Sequence, residues 1–536
     1  MRELIKTLIG DVVRKITLDF KGGILVEVPG NKELGDYTTN IAFALTKILK
    51  KSPQEVAEYL VKKLKKQKIK DFSKIEAKGG FVNFYLSDEC LHHQLKEILK
   101  QKNKYGFSGE GKGKKIQVEF ISANPTGPLT NGNGRGGFYG DALANILETQ
   151  GHKVVREFFI NDRGGQILAL GRSIKLAQGE KLDLEQAESE NLYQGEYINK
   201  LAKKIDKKLN AEEAGQKAVE LILKTYIRPV IKRLGIKFDN WFSEKSLYKG
   251  NKYGEIMEDL IRKDFIYEKD GATWMKTSRL GDSEDRVLIK KDGSETYFLS
   301  DILYHFDKFK IRRFNKVIDI LGADHHGYAP RLKAALKALG IPEDDLEIII
   351  TQLVRLVKNG KEVKISKRAG TFVTLEELIS EVGLDAARFF FLMYSSNTHM
   401  NFDMGLAKQR SEKNPVYYVQ YAHARISSIL RKTKLMSTGK QVLSFKFLKE
   451  KGELDLVRKL VEFSELLSEV SRNYEVHRLA RYSIELAREF HNFYEKYRVI
   501  TEDENLTSAR LGLVMATKSV LANVLNLMGI KAPNKM

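Results

Sequence analysis

The chain has almost no cysteine: Cys90 stands alone. A lone thiol forms no internal disulfide, and a thiolate metal site needs more ligands, so Cys90 reads as a buried or idle thiol. Long apolar runs are also missing, which excludes an expected membrane span. The opening MRELIKTLIGDVVRK lacks the apolar core of a secretory signal. A soluble, cytoplasmic protein is expected. There is no internal repeat and no low-complexity tail. Acidic charge is in deficit, with Asp+Glu 70 against Lys+Arg 91, a net +21. An excess of that size points to a polyanionic partner, most simply nucleic acid, or else to a solvated, self-repelling surface. With 536 residues and 42% apolar content, several folded domains are expected.

Residues 1–106 read as a small α/β unit. Ser52-Pro53 supplies an N-cap and first helical position for a helix through about Lys65. GGFVNFYLS, from Gly79, reads as a strand. FSGEGKGKK, residues 107 to 115, has the Gly and Lys content of an inter-domain linker. From Lys115 to about residue 400, strands and helices alternate, which favours a parallel sheet covered by helices. A polar, helix-prone segment from about Gly171 to residue 245 reads as an insertion in that body. Leu353–Val357 and Glu362–Ile365 flank Asn359-Gly360, a type I′ hairpin signal. Thr374 with Glu377 forms a capping box. Residues 401–536 are helical almost throughout, with Asn414-Pro415 starting one helix. The fold class expected is thus multidomain: an α/β N-terminal unit, a Rossmann-like α/β body and an all-α C-terminal domain.

Residues 116–137, IQVEFISANPTGPLTNGNGRGG, carry the most chemistry. Ile116, Val118 and Phe120 alternate as in a strand, a Gly-rich turn follows, and a helix then runs to about Gly151. That order places backbone N–H groups at a helix N-terminus, an anion site suited to a nucleotide phosphate. Gly132, Gly134 and Gly137 satisfy G-x-G-x-x-G, and Glu157 stands where a dehydrogenase wants its ribose-binding acid. A lone fingerprint is a weak signal, and a second motif decides against it. KISKR, Lys364 to Arg368, is a basic loop that can bring ammonium groups onto a triphosphate. GADHHG, Gly322 to Gly327, follows the apolar run VIDIL, and a glycine at a strand end suits close approach of a ribose. A metal site on Asp324, His325 and His326 is disfavoured, because neighbours on a strand point to opposite faces.

The two motifs together resemble the HIGH and KMSKS signatures of class I aminoacyl-tRNA synthetases. SANPTGPL, GRG, KISKRAGTFVTLEEL, DAARFFFLMYSSNTHMNFDMGLA, NPVYYVQYAHARI and the closing MGIKAPNKM are similar to the arginyl-tRNA synthetase family. GDYTTNIA and GGFVNF resemble that family's N-terminal added domain. The resemblance spans nearly the whole chain. It implies ATP, with Mg²⁺ arriving as the ATP complex, L-arginine and tRNA(Arg) as partners, no tightly bound cofactor and a monomer. It implies that Gly127, Pro128, Gly132, Gly134, Gly322, Asp324, His325, Lys364, Ser366 and Lys367 line the ATP site. It implies that Asn124, Glu244, Tyr297, Asp301 and His325 hold arginine. A planar, always-charged guanidinium calls for carboxylates in bidentate reach. Phe81 and Asn83 resemble positions that meet the tRNA D-loop, an aromatic to stack and an amide to read an edge. In the helical domain Tyr417, Tyr418 and Tyr421 on one helix, and Phe493, Tyr494 and Arg498 on another, suit anticodon bases, although helix-spaced aromatics also build cores.

One departure stands out. Where the family's first signature has two histidines, this chain has Thr130 and Asn133. Both can donate hydrogen bonds to phosphate, but neither carries positive charge. Arg135 is expected to compensate if it reaches, so Thr130, Asn133, Arg135, Lys364 and Lys367 form the expected catalytic set. Ile365 in place of Met in the second signature is a mild change. Two readings follow: an active arginine–tRNA ligase, or a synthetase-like protein that binds tRNA without aminoacylation. The persistence of KISKR and of the arginine-pocket residues favours the enzyme.

Overall fold

The computed structural model describes residues 1–180, 192–250, 252–325, 327–358, 360–362, 373–433 and 444–536. The N-terminal unit opens with the helix Arg2–Ile16 and carries an antiparallel sheet of β1 (Tyr37–Thr39), β2 (Phe72–Lys78) and β3 (Phe81–Leu86), in the order β1-β3-β2. Helices Ile41–Leu49 and Pro53–Lys65 pack beside it. The second starts as the sequence predicts: the Ser52 hydroxyl accepts from Glu55 N–H, and the Glu55 carboxylate accepts from Ser52 N–H, with Pro53 at the first turn. Gly79 and Gly80 are not part of a strand. Both have positive φ, +60° and +82°, and make the turn between β2 and β3. The 107–115 stretch is not a free linker either. Ser108 N–H donates to Thr149 O at 2.9 Å and Gly111 N–H to Gln150 O at 2.8 Å, so it is laid against the end of the helix Asn131–Thr149.

The body holds a parallel sheet of β4 (Lys115–Glu119), β5 (Lys153–Ile160), β6 (Asn240–Ser243), β10 (Lys316–Gly322) and β11 (Leu346–Thr351), in the spatial order β11-β10-β4-β5-β6. Between β6 and β10 the chain makes a small antiparallel sheet of β7 (Ile266–Lys269), β8 (Ala272–Met275) and β9 (Arg286–Ile289). The order reverses between β4 and β10, and a doubly wound sheet opens its ligand crevice at the C-terminal ends of such a pair. β6 falls inside the stretch expected to be an insertion, yet it pairs in parallel with β5 as an edge strand. The helices Gly165–Ala177, Glu196–Ala202, Ala211–Ile222 and Arg228–Arg233 therefore form the β5-to-β6 crossover, enlarged. Past β11, β12 (Val354–Lys358), β13 (Lys361–Glu362) and β14 (Met400–Asp403) form a small sheet. The β12–β13 hairpin turns at Gly360, φ +74°, as the Asn359-Gly360 signal requires; Asn359 itself lies outside the described residues.

The C-terminal domain is built on helices Pro415–Lys432, Lys451–Asn473, His477–Lys496 and Glu504–Leu527. The last is buried on most of its circumference and forms the bundle's axis. Among the described residues no helix is long and apolar enough to cross a membrane. One buried guanidinium, paired within the body, bolts this domain to it through the Met528 carbonyl. Arg388 Nη1 lies 2.7 Å from Asp141 Oδ2, and the same guanidinium donates to Met528 O at 3.0 Å and Leu234 O at 2.7 Å. Gly529, at φ +69°, ends the terminal helix, and a Cβ there would overlap that guanidinium. Removing one partner of a buried pair strands the other, so Arg388→Ala is expected to cost about 3–5 kcal/mol in urea unfolding. A loss under 1 kcal/mol would show that the pair is not the bolt described.

Candidate active site

The site sits on the crevice between β4 and β10. β4 ends in two non-glycine residues in the left-handed region, Ile121 at φ +68° and Ser122 at φ +31°. For a β-branched residue this is a strained turn. It is held because the Ser122 hydroxyl donates to Glu119 Oε1 at 2.9 Å and accepts from Phe159 N–H at 3.1 Å. The turn carries residues 123–129 across the end of the sheet. Gly127 lies against the Tyr197 ring, at 3.3 Å from an added Cβ, and Tyr197 Oη donates to Thr126 O at 3.0 Å. Pro128 and Leu129 line a cavity of about 670 Å³ shared with Tyr197, Tyr226 and Arg233. Thr130 bridges to Thr374, and Leu375 N–H donates to Leu129 O at 3.0 Å. The first signature and the start of the helix Leu375–Val382, which follows the KISKR segment, are thereby tied by backbone. Lys364, Ile365, Ser366 and Lys367 lie outside the described residues.

The helix Asn131–Thr149 starts at this crevice with Thr130 as N-cap. The Asn133 side chain turns back onto the cap. Its Oδ1 accepts from Thr130 N–H at 2.9 Å and from the Thr130 hydroxyl at 3.0 Å. Thr130 N–H can only donate, so the atom facing it must be the amide oxygen, and the Asn133 NH₂ faces outward. This corrects one expectation: the Thr130 hydroxyl proton goes to Asn133 and orients it, and only the Asn133 amide is left to donate to a phosphate. Gly132 is open, with nothing nearer an added Cβ than Thr130 Oγ1 at 3.8 Å. Gly134 is a packing glycine: it is buried, and a Cβ would come within 2.7 Å of Leu375 Cδ1. Arg135 is a second correction. It is 2% exposed, and its terminal nitrogens donate to the carbonyls of Gln352 (2.7 Å), Leu353 (3.5 Å), Ser395 (2.8 Å) and Thr398 (2.7 Å). Burial draws its pKa down to about 10. Every terminal N–H is spent on backbone, so Arg135 pins the β11–β12 link and the 395–398 turn to the helix and cannot reach a phosphate. Glu157, the acid a dinucleotide site would need, is also spent. It is buried within β5 and accepts from Gln117 at 2.6 Å, Asn240 at 2.6 Å and Arg312 Nη2 at 3.0 Å.

Across the crevice stands the helix Tyr297–Phe306, capped by Thr296. Tyr297 and Asp301 fall one turn apart on it, with Ser300 beside them. Glu244, at the end of β6, is 4% exposed, and its Oε1 accepts from the Ser300 hydroxyl at 2.7 Å. Its other oxygen, Oε2, is buried with no hydrogen-bond partner. Burial raises the Glu244 pKa, the Ser300 hydrogen bond opposes this, and the nearby Asp301 charge adds to the rise. Burial also raises Asp301, whose carboxylate accepts from the Tyr328 hydroxyl. Tyr297 is 63% exposed at the rim. Asn124 Oδ1 accepts from Asn161 Nδ2 at 2.6 Å. Arg163 stacks on Tyr248 with its guanidinium carbon 3.6 Å from the ring centroid and pairs with Glu295 at 2.6 Å; Tyr248 Oη shares a hydrogen bond with Ser300. Tyr248, Ser300 and Tyr328 were invisible in the sequence as site residues, because each matters through a carboxylate distant in the chain.

β10 ends at Gly322, where a Cβ would lie 2.6 Å from Asp324 Oδ1. Ala323–His325 form a 3₁₀ turn, not a strand. Asp324 and His325 therefore lie side by side, Oδ2 to Nε2 3.6 Å, and the opposite-faces argument fails here. His326 lies outside the described residues. Among the described residues no group of three or more His, Cys, Asp or Glu side chains is arranged for a metal ion.

Two further surfaces carry the residues expected to meet RNA. Phe81, 39% exposed, packs edge-on against the exposed Phe43 at 5.3 Å. Asn83 is only 1% exposed: its Oδ1 accepts from Thr38 Oγ1 at 2.6 Å, and its Nδ2 is a buried donor without a partner. A base edge reaches it only if its cover moves. In the helical domain Tyr417 and Tyr421 stack at 6.3 Å and 9°. Arg425 stands 5.4 Å over Tyr421 and 4.7 Å over Tyr494, joining the two helices. His491 also faces Tyr421, at 6.1 Å, and its Nε2 is buried without a partner. Arg425 and His491 were missed from sequence, although Arg425 sits one turn past Tyr421. Phe493 is core, and Tyr418 packs against His491. Arg498 is exposed, away from this ladder's contacts, and its carbonyl accepts from Arg510 at 2.8 Å.

The chain matches the arginyl tRNA synthetase N terminal domain over residues 3–86, the tRNA synthetases class I (R) catalytic domain over 94–403 and the DALR anticodon binding domain over 419–536. It is 47% identical to an arginine–tRNA ligase of Listeria welshimeri, covering 96% of this chain and 94% of that one. It is 41% identical to one of Aquifex aeolicus over 100% of both. The structure superposes on Thermus thermophilus arginyl-tRNA synthetase with a TM-score of 0.79 over 100% of both chains, at 22% identity. With family matches along nearly its whole length, this chain belongs to the arginyl-tRNA synthetase family and is an arginine–tRNA ligase.

Proposed function

We propose that the ligase works in two steps in which the Glu244 pocket holds the substrate guanidinium. The carrying observation is the unpartnered, buried Glu244 Oε2 beside a second, half-buried carboxylate, Asp301. A buried acceptor without a donor is costly, and a planar cation that delivers paired N–H groups removes the cost. Lysine, a single ammonium, satisfies one carboxylate but not the fork. Tyr297 at the rim and Asn124 at the crevice floor then align the amino-acid end toward ATP. Gly127, Pro128, Gly132, Gly322, Asp324 and His325 form the walls along which ATP lies, with Mg²⁺ entering as part of the ATP substrate. An arginine carboxylate oxygen attacks the α-phosphorus and pyrophosphate leaves. A ribose hydroxyl at the tRNA 3′ end then attacks the adenylate carbonyl and AMP leaves. The chain needs no nucleophile of its own, and its contribution is positioning and charge stabilisation. Lys364, Ser366 and Lys367 carry the phosphate charge in this reading.

In the same reading Asn133 supplies the side-chain donor at the phosphates, held in aim by Thr130. Phe81 with Asn83, the Tyr417–Tyr421–Tyr494 ladder, and Arg498 just past the helix that carries Tyr494 contact tRNA(Arg). The enzyme acts as a cytoplasmic monomer, a state that sedimentation velocity checks. The absent signature histidines favour one rival, a tRNA-binding protein without turnover. A charging assay with ATP, arginine and tRNA(Arg) separates the two, and no charging at high enzyme concentration would sink the catalytic reading.

Three outcomes are expected. Glu244→Gln lowers kcat/KM for arginine by about 10²- to 10³-fold, the usual range for breaking a buried charged contact, while the thermal midpoint of the free enzyme does not fall. Equal losses for arginine and ATP would argue against the pocket assignment. Arginine binds the ionised carboxylate, and that carboxylate's pKa is raised in the free enzyme, so protons compete above the ordinary carboxylate range. KM for arginine should therefore rise as pH falls from about 8 toward 5, with KM for ATP flatter. Asn133→Asp keeps the acceptor that caps the helix but deletes the outward donor. It should lower kcat roughly 10²-fold with unchanged thermal stability; a harmless substitution would remove Asn133 from the phosphate site.

A further inference from the structure

The N-terminal unit holds a concentration of charge that the catalytic site does not use. VKKLKKQKIK, residues 61 to 70, carries six lysines and no carboxylate. Lys62, Lys63, Lys65, Lys66, Lys68 and Lys70 are all exposed, and Lys51 is exposed at the far end of the same helix, Pro53–Lys65. Among the described residues none of these seven forms an ion pair. Two are held over one aromatic ring instead. Lys51 Nζ stands 5.7 Å and Lys63 Nζ 5.3 Å from the centroid of Tyr59. The nearby acids are engaged: Glu55 closes the cap with Ser52, at 2.7 Å from its hydroxyl, and Glu58 accepts from Gln54 at 2.8 Å.

Seven ammonium groups against two carboxylates, Glu55 and Glu58, leave net self-repulsion, and a polyanion laid along them removes it. Tyr59, Lys62, Lys63 and Lys66 are spaced three, four and seven residues apart, so they share one face. From Pro53 to Lys63 the helix rises about 15 Å, long enough for several consecutive phosphates. The track is also continuous with the exposed aromatic pair. A Cβ at Gly80, next to Phe81, would lie 2.7 Å from Phe43 and 2.9 Å from Pro53, the residue two past Lys51. A base stacked at Phe81 would send its flanking backbone toward Lys51.

We propose that the Lys51–Tyr59–Lys63 face of this helix, extended by Lys62 and Lys66, is a phosphate track that binds the RNA backbone beside the nucleotide taken up at Phe81. This rests on the reading that the N-terminal unit meets tRNA. The track adds affinity without sequence selectivity, since ammonium groups contact phosphates and not base edges.

The test is the affinity of the full-length enzyme for a tRNA(Arg) transcript across a salt series, with K51Q/K62Q/K63Q/K66Q beside K269Q/K290Q, an exposed pair on the small β7–β9 sheet region. Neutralising the track should weaken binding on the order of tenfold or more. The slope of log affinity against log salt should become shallower by about 0.7–0.9 per lost contact, about 3 in all. KM for tRNA should rise while KM for arginine stays put, and the control pair should change neither. A milder variant, Tyr59→Leu, should weaken binding by a few-fold while keeping the apolar packing. An unchanged salt slope in the quadruple variant overturns the track. If Phe81→Ala leaves tRNA affinity untouched while the quadruple variant weakens it, the track stands and the Phe81 reading falls. If wild-type enzyme shows no salt-dependent tRNA affinity, the N-terminal reading itself fails.

Discussion

The seating of the helix Asn131–Thr149 against the sheet is the constraint on which the rest depends. Its glycines let it lie close: a Cβ at Gly140 would overlap the Phe120 ring, and one at Gly137 would meet Ile121 at 3.0 Å. Close packing matters because the helix N-terminus must reach the crevice where β4 and β10 part. The same helix carries Arg135, which gathers four carbonyls from the β11–β12 link and the 395–398 turn, and Asp141, which meets Arg388. A single rod thus orients the crevice, the link before β12, the 395–398 turn and, through Arg388, the C-terminal domain together. The glycines are costly to a helix, and that cost is offset by the tertiary contacts they allow.

The Glu244 pocket, proposed to hold arginine, follows a different physical logic. Carboxylates are placed where water is scarce and one oxygen has nothing to accept from. Such a group is a poor contributor to stability and a strong selector of ligand. Ser300, Tyr248 and Tyr328 satisfy what can be satisfied by neutral hydroxyls, leaving the charge itself for a cation. The strained Ile121–Ser122 turn belongs to the same economy: it is tolerated because Glu119 and Phe159 hold Ser122 from both sides.

The departure in the first signature takes on a different meaning once the side chains have partners. Thr130 and Asn133 are not two independent replacements for two histidines. They form one capped unit, in which the first fixes the rotamer of the second and only one donor faces the crevice. Arg135, the residue whose charge seemed apt to compensate, has been recruited into architecture. In the proposed reading the electrostatic burden then falls on the helix N-terminus and the lysines of KISKR.

The sequence by itself determined the order and class of the elements. Periodicity, Ser52-Pro53, Thr374 with Glu377, and Asn359-Gly360 are local signals, and local physics settles them. It also determined the family, because KISKR, SANPTGPL and GGFVNF are contiguous words. It did not reveal β6, whose four residues are too short for a period to show, or the β2–β3 turn at Gly79. Nor could it tell a free side chain from a spent one. Arg135, Glu157 and Asn83 each look like an exposed functional group in the chain and are each buried against partners far away in sequence. That distinction was decided only by the tertiary structure, because a charge or amide is available to a ligand only when no carbonyl or hydroxyl of the protein has already taken it. The unpaired oxygen of Glu244 is the converse case: identity placed the acid in the chain, and burial alone left it without a partner.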